Sequence, residues 1–211
     1  MTDQKAKTEP TRKRRADGEL SRTRILDAAT EIAAERGYEG TSIGLVSKKC
    51  GLPASSIYWH FKDKDDLIAA VIERSFGAWL TAWQLPDEGE AEQRIVELST
   101  HTAKALLEAP DFIRLGLMLA LERRPTEPRA RTMFIQVRAQ AFEQLVRNFT
   151  ENIAGLTADE IHQLATYAMA GADGLFIARE IDGDAVDLIA LFELHGRAIY
   201  QLARGMIDGT T

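Results

Sequence analysis

From Ser21 onward the apolar residues recur every three or four positions, and no stretch alternates with a period of two. That spacing places apolar side chains on one face of a helix. Ile25, Ala29, Ile32 and Ala33 define the buried face of a first helix over 21–36. Gly37 follows as its stop, because glycine takes the left-handed conformation cheaply. Thr41 is the expected N-cap of a second helix whose face is Ile43, Val46 and Cys50. Gly51-Leu52 makes a turn, and Pro53 opens a third helix over 53–60, where its missing N–H costs nothing. Two short helices joined by a glycine turn, after a longer first one, predict a helix-turn-helix. Asp63-Lys64-Asp65-Asp66 has the form of a capping box, with Asp66 in the place of the usual glutamate. The helix it opens runs to about Trp83.

After a loop at Leu85-Pro86-Asp87-Glu88-Gly89, helices are expected over 91–108, 111–122 and 129–153. Thr157-Ala158-Asp159-Glu160 is a capping box for a helix to about Ile181, and Asp184 caps a last helix to about Ile207. The expected fold is all-α with about nine helices. A flexible basic arm over 1–19 precedes a three-helix DNA-binding domain over 20–66. A helical domain over 67–211 follows.

Charge changes this picture. The chain of 211 residues has a net charge of −6, which at first argues against a polyanion partner. Yet residues 1–64 hold 13 Lys/Arg against 9 Asp/Glu, and residues 65–211 hold 13 against 23. A polyanion would meet the N-terminal part. Within the arm, Arg12-Lys13-Arg14-Arg15 reads as a solvated tail or as a segment that follows DNA phosphates or the minor groove. Arg22 and Arg24 reach phosphate or solvent, and both readings stand. Cys50, alone in the chain, reads as a small buried hydrophobe, which fits a reducing cytoplasm. The polar N-terminus is not a signal peptide, and no apolar run is long enough to span a bilayer, so a cytoplasmic protein is expected. His101, His162 and His195 lack ligand spacing, so no metal and no cofactor is expected. With no nucleophile elbow or phosphate loop, no enzyme is expected either.

Residues 21–70 resemble the DNA-binding domain of the TetR family of bacterial repressors. The resemblance rests on Thr41-Ser42-Ile43 and above all on Gly51-Leu52-Pro53-Ala54-Ser55-Ser56-Ile57-Tyr58-Trp59-His60-Phe61-Lys62-Asp63-Lys64. Ile25-Leu26-Asp27-Ala28-Ala29 and Glu35-Arg36-Gly37-Tyr38 match as well. It implies a homodimer that sets the third helix of each subunit into a major groove of operator DNA, and a second domain that binds a small effector. It implies phosphate contacts from Thr41, Tyr58, His60 and Lys64, the last aided by a helix dipole. Ala54, Ser55 and Ser56 match positions that face base edges. Lys62 adds a basic side chain to the same stretch. Three positions depart from the common pattern. Pro53 stands where Ser or Thr is usual, Ala54 where a Lys or other polar residue is often found, and Leu45 at a usually polar site. Ala54 at most touches a thymine methyl, so base reading falls to Ser55, Trp59 and Ser42, or to DNA shape. Phe61 reads as core, Tyr58 as a phosphate contact, and Trp59 stays open between the two.

The last two helices read as the dimer face. One stripe is Ile161, Leu164, Ala168, Ala172 and Leu175 beside Gly171 and Gly174; the other is Leu188, Leu191, Phe192, His195, Ile199 and Leu202. The alternative is that both stripes are core within one chain. The family places its pocket among the helices at 91–180. Candidate lining residues are His101, Phe112, Leu115, Met118, Phe134, Arg138, Phe142, Tyr167 and Phe176, an apolar set with polar handles that suits an apolar or aromatic effector. The expected function is a repressor released by that effector. The alternative is a small-molecule carrier with degenerate DNA binding.

Overall fold

The computed structural model describes residues 9–80, 89–122 and 125–209, without the side chains of 9–15, 78 and 80. Among the described residues there are nine α-helices and no strand. The chain forms two compact units, Met1–Arg74 with Asp111–Phe134, and Ser75–Pro110 with Ile135–Thr211.

The first unit is built on α1 (Glu9–Gly40), α2 (Ile43–Cys50), α3 (Ala54–His60) and the first part of α4 (Lys64–Leu80). Ile25, Leu26, Ala29 and Ile32 of α1 meet Val46, Cys50, Ile57, Phe61, Leu67 and Val71 in one buried cluster. Each large aliphatic side chain buried there contributes about 1.5–3 kcal/mol relative to exposure. Gly37 breaks the helical run of α1 with φ 67° and ψ −175°, as its position predicts. The cap of α2 lies one residue later than expected. Thr41 is 2% exposed and its hydroxyl donates to the Gly37 carbonyl at 2.8 Å. Ser42, with an extended backbone, accepts the Leu45 N–H instead. Gly51 closes α2 in the left-handed conformation at φ 67° and ψ 21°. Pro53 caps α3 rather than joining it. Asp63 accepts the Asp66 N–H at 2.8 Å, and Asp66 reaches back to the Lys62 N–H at 3.0 Å, so the capping box closes one residue early.

Two further features differ from expectation. Residues 9–19 continue α1 as helix rather than forming a flexible arm. They extend a helix already anchored by its core face, so no new nucleation is needed; Pro10 falls in the first turn, where it is tolerated. Residues 1–8 and the side chains of Arg12-Lys13-Arg14-Arg15 lie outside the described residues, as does the expected run of α4 to Trp83. The second feature is α6 (Asp111–Leu121) with the start of α7 (Arg129–Asn152), which belong to the first unit, not to a domain over 67–211. Their ties to the head are local: α6 packs on α1, and Asp65 bonds the first amides of α7. Gly116 lets the Phe134 ring lie against α6, where any side chain would collide with it.

The second unit contains α5 (Ala91–Glu108), the remainder of α7, α8 (Ala158–Asp182) and α9 (Leu188–Ile207). Thr157 and Glu160 form the expected capping box of α8. The cap of α9 is Asp187, not Asp184, because a 3-10 turn at Gly183–Ala185 intervenes. Asp184 pairs with Arg179 instead. α9 packs on α5 and α8. Gly196 admits Val96 and Ser99, and Gly171 admits the His195 ring, whose Nε2 lies 2.9 Å from the Ala168 carbonyl. Part of the stripes expected to face a partner is therefore core within the chain. Ile161, Leu164, Ala168, Leu188, Phe192 and Ile199 are buried within the chain, and Ala172, Leu175, Leu191, His195 and Leu202 are half-buried. Among the described residues no helix is long and apolar enough to cross a membrane.

Candidate nucleic-acid interface

α3 divides cleanly between anchor and surface. Ile57 is fully buried and Phe61 nearly so, which fixes the helix in the head. Tyr58 is 56% and Trp59 75% exposed. Ser42, Ser55 and Lys62 are exposed beside them, while Ala54 and Ser56 are half-buried. Two adjacent exposed aromatic side chains among hydroxyl and basic groups form a surface suited to a nucleic-acid backbone and base edges, not to core packing.

His60 and Lys64 are held from behind. His60 Nε2 lies 2.7 Å from Ser21 Oγ, and the Ser21 hydroxyl lies 2.8 Å from the Gly18 carbonyl. A hydroxyl has one hydrogen, and the carbonyl can only accept it. Both bonds are satisfied when Nε2 carries the imidazole proton, which leaves Nδ1 an acceptor in the neutral ring and a donor to an outside anion only when a second proton is bound. Desolvation, and secondarily the positive charge of Arg22, push His60 below its ordinary pKa. Arg22 itself lies over the Phe61 ring at 5.4 Å. Trp59 meets the His60 ring edge-on at 4.5 Å. The Lys64 ammonium donates to the Tyr38 carbonyl at 3.1 Å, sits 4.3 Å from the Tyr38 ring centre, and pairs with Glu39 at 3.5 Å. An exposed ion pair of this kind is worth at most about 1 kcal/mol, so a phosphate competes for Lys64 readily.

Two expected assignments change. The Thr41 hydroxyl, expected at a phosphate, is turned inward to Gly37. Arg24 goes neither to solvent nor outward: it donates to the Cys50 carbonyl at 2.7 Å and ties down the C-terminus of α2. Leu45, the unexplained apolar residue of α2, packs partly buried against the head core.

Sequence reasoning missed three supporting residues. Ser21 orients His60; Tyr38 carries Lys64 and donates to Asp65 at 3.0 Å; Asp65 also accepts the Arg129 and Ala130 amides at 2.5 and 3.0 Å. Their partners lie 26 to 65 residues away, so no local spacing signals them.

The nine candidate effector residues divide between the units. Phe112, Leu115 and Phe134 are buried in the first, where Met118 is 52% exposed. In the second, Phe176 is buried, Phe142 packs edge-on against His162, and Arg138 forms an ion pair with Asp173. His101 and Tyr167 are exposed rather than lining an interior. Tyr167 instead belongs to an open depression along α8 with Asp159, His162, Gln163, Thr166 and Ala170.

Residues 25–71 match the family model described as bacterial regulatory proteins, tetR family. The HTH-type transcriptional regulator AcrR of Shigella flexneri is 39% identical over 64 residues, which is 30% of each chain. An HTH-type transcriptional repressor of Mycobacterium tuberculosis is 28% identical over 109 residues, 52% of this chain and 42% of that one. The chain thus spans less than half the length of these curated relatives. A tetR-family transcriptional regulator of Streptomyces coelicolor has a similar fold, with TM-score 0.73 at 14% identity over 91% of this chain and 85% of that one. The fatty acid degradation regulator FadR of Bacillus halodurans gives 0.71 at 17% over 85% and 94%. FadR of Bacillus subtilis, solved with stearoyl-CoA, gives 0.67 at 20% over 84% and 96%. Residues 25–71 are thus similar to the helix-turn-helix of the TetR family of bacterial regulatory proteins, and the chain shares its fold with solved proteins at 14–20% identity.

Proposed function

We propose that the protein is a DNA-binding transcriptional regulator, a repressor that leaves its operator when a small effector with an apolar or aromatic body binds. The observation that carries this reading is the outer face of α3, with Tyr58 and Trp59 exposed between Ser55 and Lys62 on a helix anchored by Ile57 and Phe61. Tyr58 and Lys64 hold phosphate, and His60 joins them through Nδ1 only when the ring is doubly protonated; Ser42, Ser55, Ser56 and Trp59 face the bases; Ala54 offers only a methyl group. The names of the curated relatives, regulators and repressors, support the same reading. For the effector, the stearoyl-CoA bound to one structural relative supports an apolar class, and Arg138 with Asp173 is a polar handle in the second unit.

The protein works as a homodimer through its last two helices, by the outer faces and not by the stripes that form the core. Tyr167, Ala170, Gly174, Ile177 and Ile181 make one exposed line along α8, and Leu194 is exposed on α9. Sedimentation of the intact protein checks this, and a monomer at concentrations well above those used for DNA contradicts it. Paired recognition helices must lie about 34–36 Å apart, one turn of DNA, and an effector that favours a different separation empties the operator.

The DNA contacts are tested by Tyr58→Ala with Lys64→Ala. The double change weakens binding to every duplex by about 10-fold or more. It also reduces the slope of log affinity against log salt by about 1 for each phosphate that is no longer neutralised. An unchanged slope removes these residues from the interface and favours a small-molecule carrier.

A further inference from the structure

The carboxylate of Asp65 is shared by three elements of the first unit. One oxygen accepts the Arg129 N–H at 2.5 Å; the other accepts the Ala130 N–H at 3.0 Å and the Tyr38 phenol at 3.0 Å. Arg129 and Ala130 open α7, and the first N–H groups of a helix have no partner inside it. Asp65 is therefore the N-cap of α7, supplied from the first turn of α4. Its neighbour Asp66 pairs with the Arg129 guanidinium and holds the same turn by its side chain. The residue before Asp65 is Lys64, whose ammonium rests on the Tyr38 carbonyl and ring. A phosphate-holding lysine, the end of α1 and the start of α7 thus meet within one turn of helix. The positive end of the α7 dipole faces the Asp65 carboxylate and offsets a negative charge that would otherwise stand beside a DNA-binding lysine.

We propose that Asp65 couples the DNA-contacting first turn of α4 to the seating of the first turn of α7. The proposal rests on the regulator reading above and deepens it. α7 runs on past Phe134 into the second unit as one helix, so a change there that draws on α7 pulls at the Asp65 cap. Asp65 is a positioning residue: it acts through Lys64 and the α4 turn. Coupling of this kind is reciprocal, so DNA must tighten the α7 cap as the cap favours DNA.

The test is amide hydrogen exchange of the intact protein across residues 125–134, with and without a duplex selected from its own upstream DNA. In the wild type, DNA slows exchange at Arg129 and Ala130 severalfold. Asp65→Ala binds the duplex about fivefold more weakly, as expected for a lost cap, and its α7 amides no longer respond to DNA. Tyr38→Phe removes only the phenol bond and keeps the response. Arg129→Pro deletes one of the two capped N–H groups at a helix position that suits proline, and it weakens the response at Ala130 even where Asp65→Ala folds poorly. Wild-type amides that ignore DNA, or an Asp65→Ala protein that keeps the response, overturn the coupling while leaving the regulator reading in place. A wild type that binds no duplex above a scrambled control overturns the regulator reading, and the coupling falls with it.

Discussion

His195 shows how one side chain carries two messages. Its period places it on an apolar stripe of α9, and the stripe is real, but the ring fits against Gly171 of the same chain. Desolvation pushes its pKa below 6.5, against the opposing effect of the Ala168 carbonyl bond. The unfolded chain therefore binds a proton more readily than the folded one in the window just under 6.5. Stability from this residue is present above 6.5 and is lost as pH falls through that value toward the lower folded pKa. His195→Gln removes the effect. Urea unfolding at pH 7.5 and 5.5 will show a larger acid loss for the wild type than for the variant; equal losses remove His195 from the acid response. Residue-scale reading succeeded at Phe61, expected in the core and 3% exposed. Trp59, left open between core and contact by the sequence, is exposed with Tyr58. Such reading failed at Thr41 and Ser42, two adjacent hydroxyl residues that are equally good caps. Which one caps depends on the Gly37 carbonyl, which takes the Thr41 hydroxyl.

At the scale of elements, helix ends were legible where a local motif sets them. α5 spans Ala91–Glu108 as its spacing predicts, and α8 begins at its capping box. The start of α9 was not legible, because Asp184 and Asp187 offer the same cap three residues apart. Arg179 decides between them: it holds the Gly183 and Val186 carbonyls at 2.8 Å and takes the Asp184 carboxylate, which leaves Asp187 to accept the Ala190 N–H at 3.0 Å. Asp187→Ala will cost about 1 kcal/mol in urea unfolding, the usual value of an N-cap. Asp184→Ala removes only a bond to an exposed carboxylate and will cost far less. The reverse order would return the cap to Asp184. Membership of α6 and the start of α7 in the first unit was also hidden, since Asp65 and its partner amides are 64 and 65 residues apart.

For the whole molecule, the split of charge is the most informative number in the sequence. A basic first third joined to an acidic remainder predicts one polyanion-facing end, and the exposed face of α3 lies in that third. In the proposed DNA-bound state this face makes few direct demands on base sequence, because Ala54 has no polar group to offer a base edge and only Ser42, Ser55, Ser56 and Trp59 are proposed to face the bases. Part of the selectivity must then come from the deformability of the site. The account rests on specific binding by a dimer, and one measurement addresses both: titration of the intact protein on duplexes from its own upstream DNA and on scrambled controls at several salt concentrations, with the stoichiometry determined. The account predicts two chains per site, half-sites one helical turn apart, and a preference over the scrambled duplex of about 1,000-fold or more near physiological salt. Equal affinity for both duplexes at every salt concentration would contradict it.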